Sequence, residues 1–113
     1  DVQAMIQAGV EDGDWRVVDA VRNAYRPGSS NLLSAAVGKD PYQRYRYLKL
    51  FRLGAPPGPG EIETDLASAA AKLSPAQIAQ ADAWANTAFQ QNFQGKAIDS
   101  DGPLWDPCVF PYD

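Results

Sequence analysis

The sequence contains no histidine, and Cys108 is the single cysteine among its 113 residues. Without histidine, a Ser-His-Asp or Cys-His nucleophile system cannot form, and zinc or iron has no imidazole ligand. One cysteine excludes an internal disulfide and any CxxC motif for redox chemistry or metal binding. We therefore expect no metal and no other cofactor, and we expect Cys108 to have a packing role.

Glutamate is also scarce, with only Glu11, Glu61 and Glu63 in the chain. A hydrolase could use paired carboxylates, as glycosidases do, but all three glutamates fall in predicted loops or first helical turns. The acidic residues at 11, 12 and 14 are expected to cap a helix rather than bind metal. The Asp-Ser-Asp-Gly segment at 99–102 lacks the downstream ligands of a calcium loop. No catalytic residue is assigned, and a carboxylate-dependent hydrolase is the least favoured function.

No apolar run reaches the roughly 18 residues needed to cross a bilayer, so membrane insertion is not expected. The net charge of −4 disfavours a nucleic-acid-binding domain, because neutralising phosphates requires a basic surface. The sequence begins at Asp1 without the basic and apolar segments of a signal peptide. Removal of a leader would explain this start and slightly favours an exported or periplasmic location over the cytoplasm.

Hydrophobic residues make up 45% of the chain and charged residues 21%, which is typical of one globular domain. Apolar residues follow the helical period in five stretches separated by glycine and proline, and no alternating pattern indicates a strand. The sequence predicts an all-α fold, a bundle of about five helices over residues 1–95 arranged as antiparallel helical hairpins. Residues 96–113, rich in proline and aromatics, are predicted to form an extended tail that packs on this domain or, alternatively, docks on a partner.

Three helix starts are marked by capping residues. Asp14 precedes a helix that begins at position 15, and Asp40-Pro41 and Ser74-Pro75 each combine a capping side chain with proline at the first helical position. Residues 31–38 are apolar enough to form a partly buried helical turn. The helix from Pro41 is predicted to end at about position 53 and to bury three of its side chains, those of Tyr47, Leu48 and Phe51.

Residues 12–90 resemble the Sel1-like branch of the tetratricopeptide helical-repeat proteins. The piece that carries the resemblance is Asp40-PYQRYRYLKLFRL-Gly54, in which Asp40 opens the helix, Gly54 stops it, and Tyr47 and Leu48 occupy the aromatic positions. Residues 72–85 look like the terminal helix of such arrays. Arg44 and Phe51 depart from the alanines usual in the family. The resemblance implies about one hairpin with capping helices, a protein-interaction scaffold, and no catalytic residues.

The helix from Pro41 is also the most basic segment, with four of the ten basic residues interleaved with three tyrosines. Arginine and tyrosine are enriched at interface hot spots, so this helix is predicted to contact a partner with an acidic surface. The alternative is a solvated face whose charges pair with the surplus acids of the chain. RNA binding is disfavoured by the acidic remainder. The predicted partner-binding residues, with one aromatic residue of the tail, are Tyr42, Arg44, Tyr45, Arg46, Lys49, Arg52 and Trp105.

The predicted function is therefore a non-catalytic protein–protein interaction module. A specific version is a small bacterial inhibitor or immunity-type protein that binds and blocks its partner. The alternative is a structural or accessory subunit of a cell-envelope assembly, which self-association would favour. The sequence does not assign an oligomeric state.

Overall fold

The computed structural model describes residues 1–55 and 60–98 of the chain. The predicted tail from position 99 onward, including Trp105 and Cys108, lies outside the described residues. Over the described ranges the chain forms helices and no strand, so the predicted all-α fold is confirmed, whereas the antiparallel hairpin arrangement stays a prediction. The helices are α1 (Val2–Glu11), α2 (Trp15–Ala24), α3 (Leu32–Val37), α4 (Pro41–Gly54), α5 (Glu61–Ala70) and α6 (Pro75–Asn92).

Side-chain caps fix the starts of α2, α4 and α6 where the sequence predicts them. The Asp14 carboxylate accepts the N–H two residues on, and Asp40 accepts the N–H groups two and three residues on. Ser74 and Gln77 form a complete capping box at the start of α6. The predicted helical turn at 31–38 is the short helix α3. Asn31 caps this helix, since its side-chain oxygen accepts the N–H of Ser34.

Helix α4 is the central element, because it packs against α2, α5 and α6. This explains why it buries side chains around much of its circumference instead of along one stripe. The predicted core positions Tyr47, Leu48 and Phe51 are buried, and Leu50 is completely enclosed. A second apolar cluster joins α4 to α5 and α6 through Leu48, Tyr45, Leu66, Ala69 and Ala81.

The first three residues of the predicted tail continue the fold beyond α6. Ile98 is buried in the main apolar cluster, and its N–H donates to the backbone oxygen of Gly54 over 2.7 Å. Trp15 and Trp84 are partly buried and pack on the same cluster. Within the described ranges, no helix combines the length and the hydropathy needed to cross a membrane.

The contact between α1, α2 and α6 depends on glycines that admit no side chain. A Cβ atom on Gly9 would come within 3.0 Å of the Val17 side chain, so α1 and α2 approach closely there. Gly13, between α1 and α2, has a φ of +69° and faces the backbone oxygen of Asn92 at the end of α6. The chain therefore turns next to another backbone segment, in a conformation that glycine adopts without steric strain.

Candidate functional site

The six predicted partner-binding residues that the structure describes all lie on α4, but they point in different directions. Arg44 and Tyr45 are buried, each with 7% of its surface exposed. The other four residues are half-buried, and they are Tyr42, Arg46, Lys49 and Arg52. The predicted basic and aromatic stripe is therefore divided between the contacts of α4 with α5, with α6 and with solvent.

Arg44 holds α4 to α5. Its guanidinium lies 3.4 Å from Oδ1 of Asp65 and donates to Oγ of Ser68 over 3.5 Å. The second oxygen of the Asp65 carboxylate lies 3.7 Å from Nη2 of Arg26, so one acid serves two cations. Arg44 is consequently buried between the two helices and is not exposed on the outer surface of α4 that a protein partner would contact.

The opposite side of α4 is tied to α6 through Asp82. The Tyr45 hydroxyl donates to Oδ1 of Asp82 over 2.9 Å, and Nζ of Lys49 lies 4.0 Å from the same oxygen. Arg52, one turn farther along, pairs with Glu63 of α5. Lys49 and Arg52 thus pair with acids of the chain itself, as the alternative prediction for this helix states. Contact of these two residues with a partner stays a prediction.

Burial, together with the hydrogen bond to Asp82 and the charge of that carboxylate, raises the pKa of Tyr45 to about 12. Burial also raises the pKa of Tyr47. An unfolded tyrosine loses its proton near pH 10. The stabilising contribution of the protonated Tyr45 is therefore complete below about pH 10 and is lost as the pH rises through about 12.

We accordingly expect the free energy of unfolding to fall between pH 10 and pH 12, and to fall less steeply in the Tyr45→Phe variant. The measurement is urea denaturation at a series of pH values, with tyrosinate absorbance followed in parallel. The variant lacks one hydrogen bond and is less stable at every pH. The quantity to compare is therefore the change in the free energy of unfolding with pH, and not its absolute value. Equal slopes in this pH window for the variant and the parent would contradict the assignment.

Arg46 differs from the other arginines, because no carboxylate that the structure describes lies within 4.0 Å of it. Its guanidinium carbon lies 4.3 Å from the ring centroid of Trp84, 5.1 Å from that of Tyr47 and 5.9 Å from that of Tyr42. Its Nε donates to Oε1 of Gln43. Three aromatic rings thus hold a cation in place without neutralising its charge.

Arg46 opens onto a polar cavity of about 510 Å³ between α1, α4 and α6. Most of the polar groups around the cavity are neutral amides and a hydroxyl, and Glu11 is the one carboxylate among the residues that line it. Gln7 donates to Glu11 over 3.3 Å, which gives that carboxylate a partner on its own helix. The polar residues contributed by α1 and α6 are Gln3, Gln7, Glu11, Thr87, Gln91 and Asn92.

Of the predicted partner-binding residues that the structure describes, Arg46 lines this cavity, and the ring of Tyr42 lies 5.9 Å from its guanidinium carbon. No local motif in the sequence marks Trp84 or the glutamines of α1 as residues of a site. The surrounding residues come from positions about 40 residues to either side of Arg46, so no spacing within one helix indicates them. Only the packing of α1 and α6 against α4 brings them together.

A second surface feature is an apolar groove of about 690 Å³ between α1, α2 and α3. Met5 and Leu32 border the groove, with 71% and 92% of their surfaces exposed. They are the exposed large hydrophobic residues of the described ranges. None of the residues lining the groove carries a charge. The sequence did not indicate this groove, because α3 was expected only as a helical turn.

The described residues contain no group of three or more acidic or cysteine side chains that could hold a metal ion. Comparison of the chain with protein-family models, with curated proteins and with solved structures gave no match. The resemblance to Sel1-like repeats therefore stays a prediction. The function has to be argued from the geometry of the surface.

Proposed function

We propose that the protein is a non-catalytic helical module that binds another protein, and that an acidic group of this partner contacts Arg46. The observation that carries the proposal is the environment of Arg46, a half-buried arginine that lies beside a polar cavity and pairs with no carboxylate in the described ranges. Each of the other arginines in the chain pairs with an acid of the chain itself.

The contacts of Arg46 favour binding because they fix the side chain in advance. A long arginine side chain normally loses rotamer freedom when it is immobilised at an interface, at a cost of about 0.5–1.5 kcal/mol. Packing against Trp84 and Tyr47 restricts that freedom in the free protein. Arginine, tyrosine and tryptophan are also the residues that most often dominate interface energetics.

The chemistry of the cavity indicates what kind of group would be bound. A guanidinium has five N–H donors and binds a carboxylate through two parallel hydrogen bonds. Gln43 accepts from Nε of Arg46, and the Arg46 side chain lines the cavity, so a carboxylate placed there can accept from the terminal nitrogens. The neighbouring amides of Gln3 and Gln91 can donate to a second polar group of the partner.

The more specific version of this proposal is an inhibitor or immunity-type protein, which would act by covering a surface that its partner needs. A small chain with no histidine and with an acidic net charge of −4 supports a role in binding rather than in catalysis.

The Arg46→Ala variant is expected to bind the partner at least about tenfold more weakly than the parent protein, as is typical when a central arginine of an interface is removed. The matched control is Arg26→Ala, which removes an arginine that is outside the predicted contact and that pairs with Glu61. Affinity capture from the source organism with the parent and both variants identifies the candidate partner. Calorimetry on the purified pair then gives the dissociation constants.

Equal affinities for Arg46→Ala and Arg26→Ala would show that the Arg46 surface is not the contact. Circular dichroism and the thermal midpoint of each variant ensure that the loss does not arise from unfolding. Light scattering separates the alternative function, because self-association that Arg46→Ala abolishes would indicate an assembly of identical copies instead of a complex with another protein.

A further inference from the structure

A small cavity of about 260 Å³ lies where the end of α2, the start of α4 and the end of α5 meet. Three of the residues that line it are basic, namely Lys39, Arg44 and Lys72, and Asp40 is the one acid among them. In the whole chain, acidic residues outnumber basic ones by 14 to 10. The cavity therefore reverses the charge balance of the protein over a region that is only a few residues wide.

Arg44 supplies a buried cation to this cavity. Its side chain is 9% exposed, and its contacts with Asp65 and Ser68, at 3.4 and 3.5 Å, are both at the long end of the hydrogen-bond range. These two contacts use two of the five guanidinium donors. Because Asp65 also serves Arg26, it neutralises Arg44 only in part.

Neither of the two lysines pairs with an acid that the structure describes. Lys39 donates to the backbone oxygens of Arg26 and Ser29 over 3.2 and 3.4 Å, which hold its ammonium group in place without an opposing charge. Lys72 is exposed, and no acid that the structure describes lies within 4.0 Å of it. One lysine is therefore fixed and the other is able to move toward a ligand.

The acid at the cavity, Asp40, is committed to another task. Its Oδ1 accepts the backbone N–H groups of Tyr42 and Gln43 and caps α4. The first N–H groups of α4 are consequently occupied, so a ligand would be recognised by side chains and not by the helix end. The residues that line the cavity comprise three cations and one capping carboxylate, and Asp65, which is not among them, offsets part of the charge of Arg44. The balance at the cavity is therefore positive.

We propose that this cavity binds the phosphoryl group of a small solute, either free phosphate or a phosphate monoester. A phosphoryl group carries between about −1.5 and −2 charges near neutral pH and has three strong acceptor oxygens. Its charge is opposite to that of the cavity, and its three acceptor oxygens match the three donor side chains. A carboxylate has only one negative charge and two acceptor oxygens. Such a site is separate from the Arg46 surface and does not depend on the function proposed above.

The test is titration of the full isotope-labelled chain with inorganic phosphate, followed by the NMR shifts of residues around Arg44. Sodium chloride at matched ionic strength corrects for screening, and acetate tests the class of anion. Glycerol phosphate is the second probe and distinguishes an ester from the free ion. We expect saturable shifts with phosphate, glycerol phosphate or both, and weaker binding of acetate.

The Lys72→Gln variant is expected to weaken phosphate binding about two- to fivefold, as is typical of one exposed charge contact. Its matched control is Lys96→Gln, which removes the same charge from another exposed lysine for which the structure shows no acid partner, and this variant should bind like the parent. Arg44→Lys keeps the charge but removes the planar set of donors, and it should weaken binding more than Lys72→Gln does.

Chloride that reproduces the shifts, or acetate that binds as tightly as phosphate, would overturn the proposal. So would equal affinities in Lys72→Gln and Lys96→Gln. If Arg44→Lys is too unstable to measure, the two lysine variants still decide the result, because both lie at exposed positions.

Discussion

Replacing Gly13 with alanine is expected to lower the free energy of unfolding by about 3 kcal/mol or more. Two effects add at this position. The φ of +69° places an alanine in the left-handed region, and the new Cβ would lie less than 3.0 Å from the backbone oxygen of Asn92. A backbone oxygen cannot rotate away as a side chain can, so α6 would have to move relative to the α1–α2 connection. Urea denaturation followed by circular dichroism measures the change.

The matched control for this prediction is Gly28→Ala. Gly28 also has a positive φ, of +86°, but a Cβ atom there would meet no other atom within 4 Å. This variant isolates the backbone strain, which we expect to cost about 1 kcal/mol. A loss of stability at Gly13 no larger than that at Gly28 would show that α6 does not pack against Gly13 as described.

Leu50→Ala is expected to lower the free energy of unfolding by between about 2 and 5 kcal/mol, the range observed when a buried leucine is truncated. Leu50 has no exposed surface and lies on α4, which packs against three other helices. Truncation leaves a cavity that these helices cannot close together, because each is also held by other contacts. Thermal and urea denaturation of the purified variant measure the effect.

Leu32→Ala makes the same chemical change at a site where 92% of the residue is exposed. We expect a change in stability within about 0.5 kcal/mol, since little apolar surface leaves the interior and alanine favours the helix at least as well as leucine. Similar losses in the two leucine variants would mean that the burial of α4, or the exposure of α3, is not as described.

The helix starts were predictable because they depend on residues within one turn of each other. Asp40 and Ser74 cap their helices through backbone N–H groups at most three positions away, so the sequence carries the whole signal. The existence of α3 as a helix was less clear, because its six residues depend on the Asn31 cap and on packing against α1 and α2. Short helices are stabilised mainly by such tertiary contacts.

The sequence of α4 alone does not show which of its basic residues are neutralised by an acid. Arg44 has the same local pattern as Arg46, yet it is buried against Asp65, whereas Arg46 rests on Trp84. The difference arises from α5 and α6, whose acids and aromatic rings lie 20 or more positions farther along the chain. Charge patterns within a helix show that pairing is possible, but only the packing of the other helices decides which cation is neutralised.

The central position of α4 has a consequence for how the protein unfolds. A helix that contacts α2, α5 and α6 at once cannot detach without exposing the apolar surfaces of all three. We therefore expect opening of the bundle around α4 to cost nearly as much free energy as complete unfolding, and we expect α3, which packs mainly on α1 and α2 among the described helices, to open separately. The molecule thus combines one unit that unfolds cooperatively with a less stable edge formed by α3. Leu32, the exposed leucine of the apolar groove, belongs to that edge.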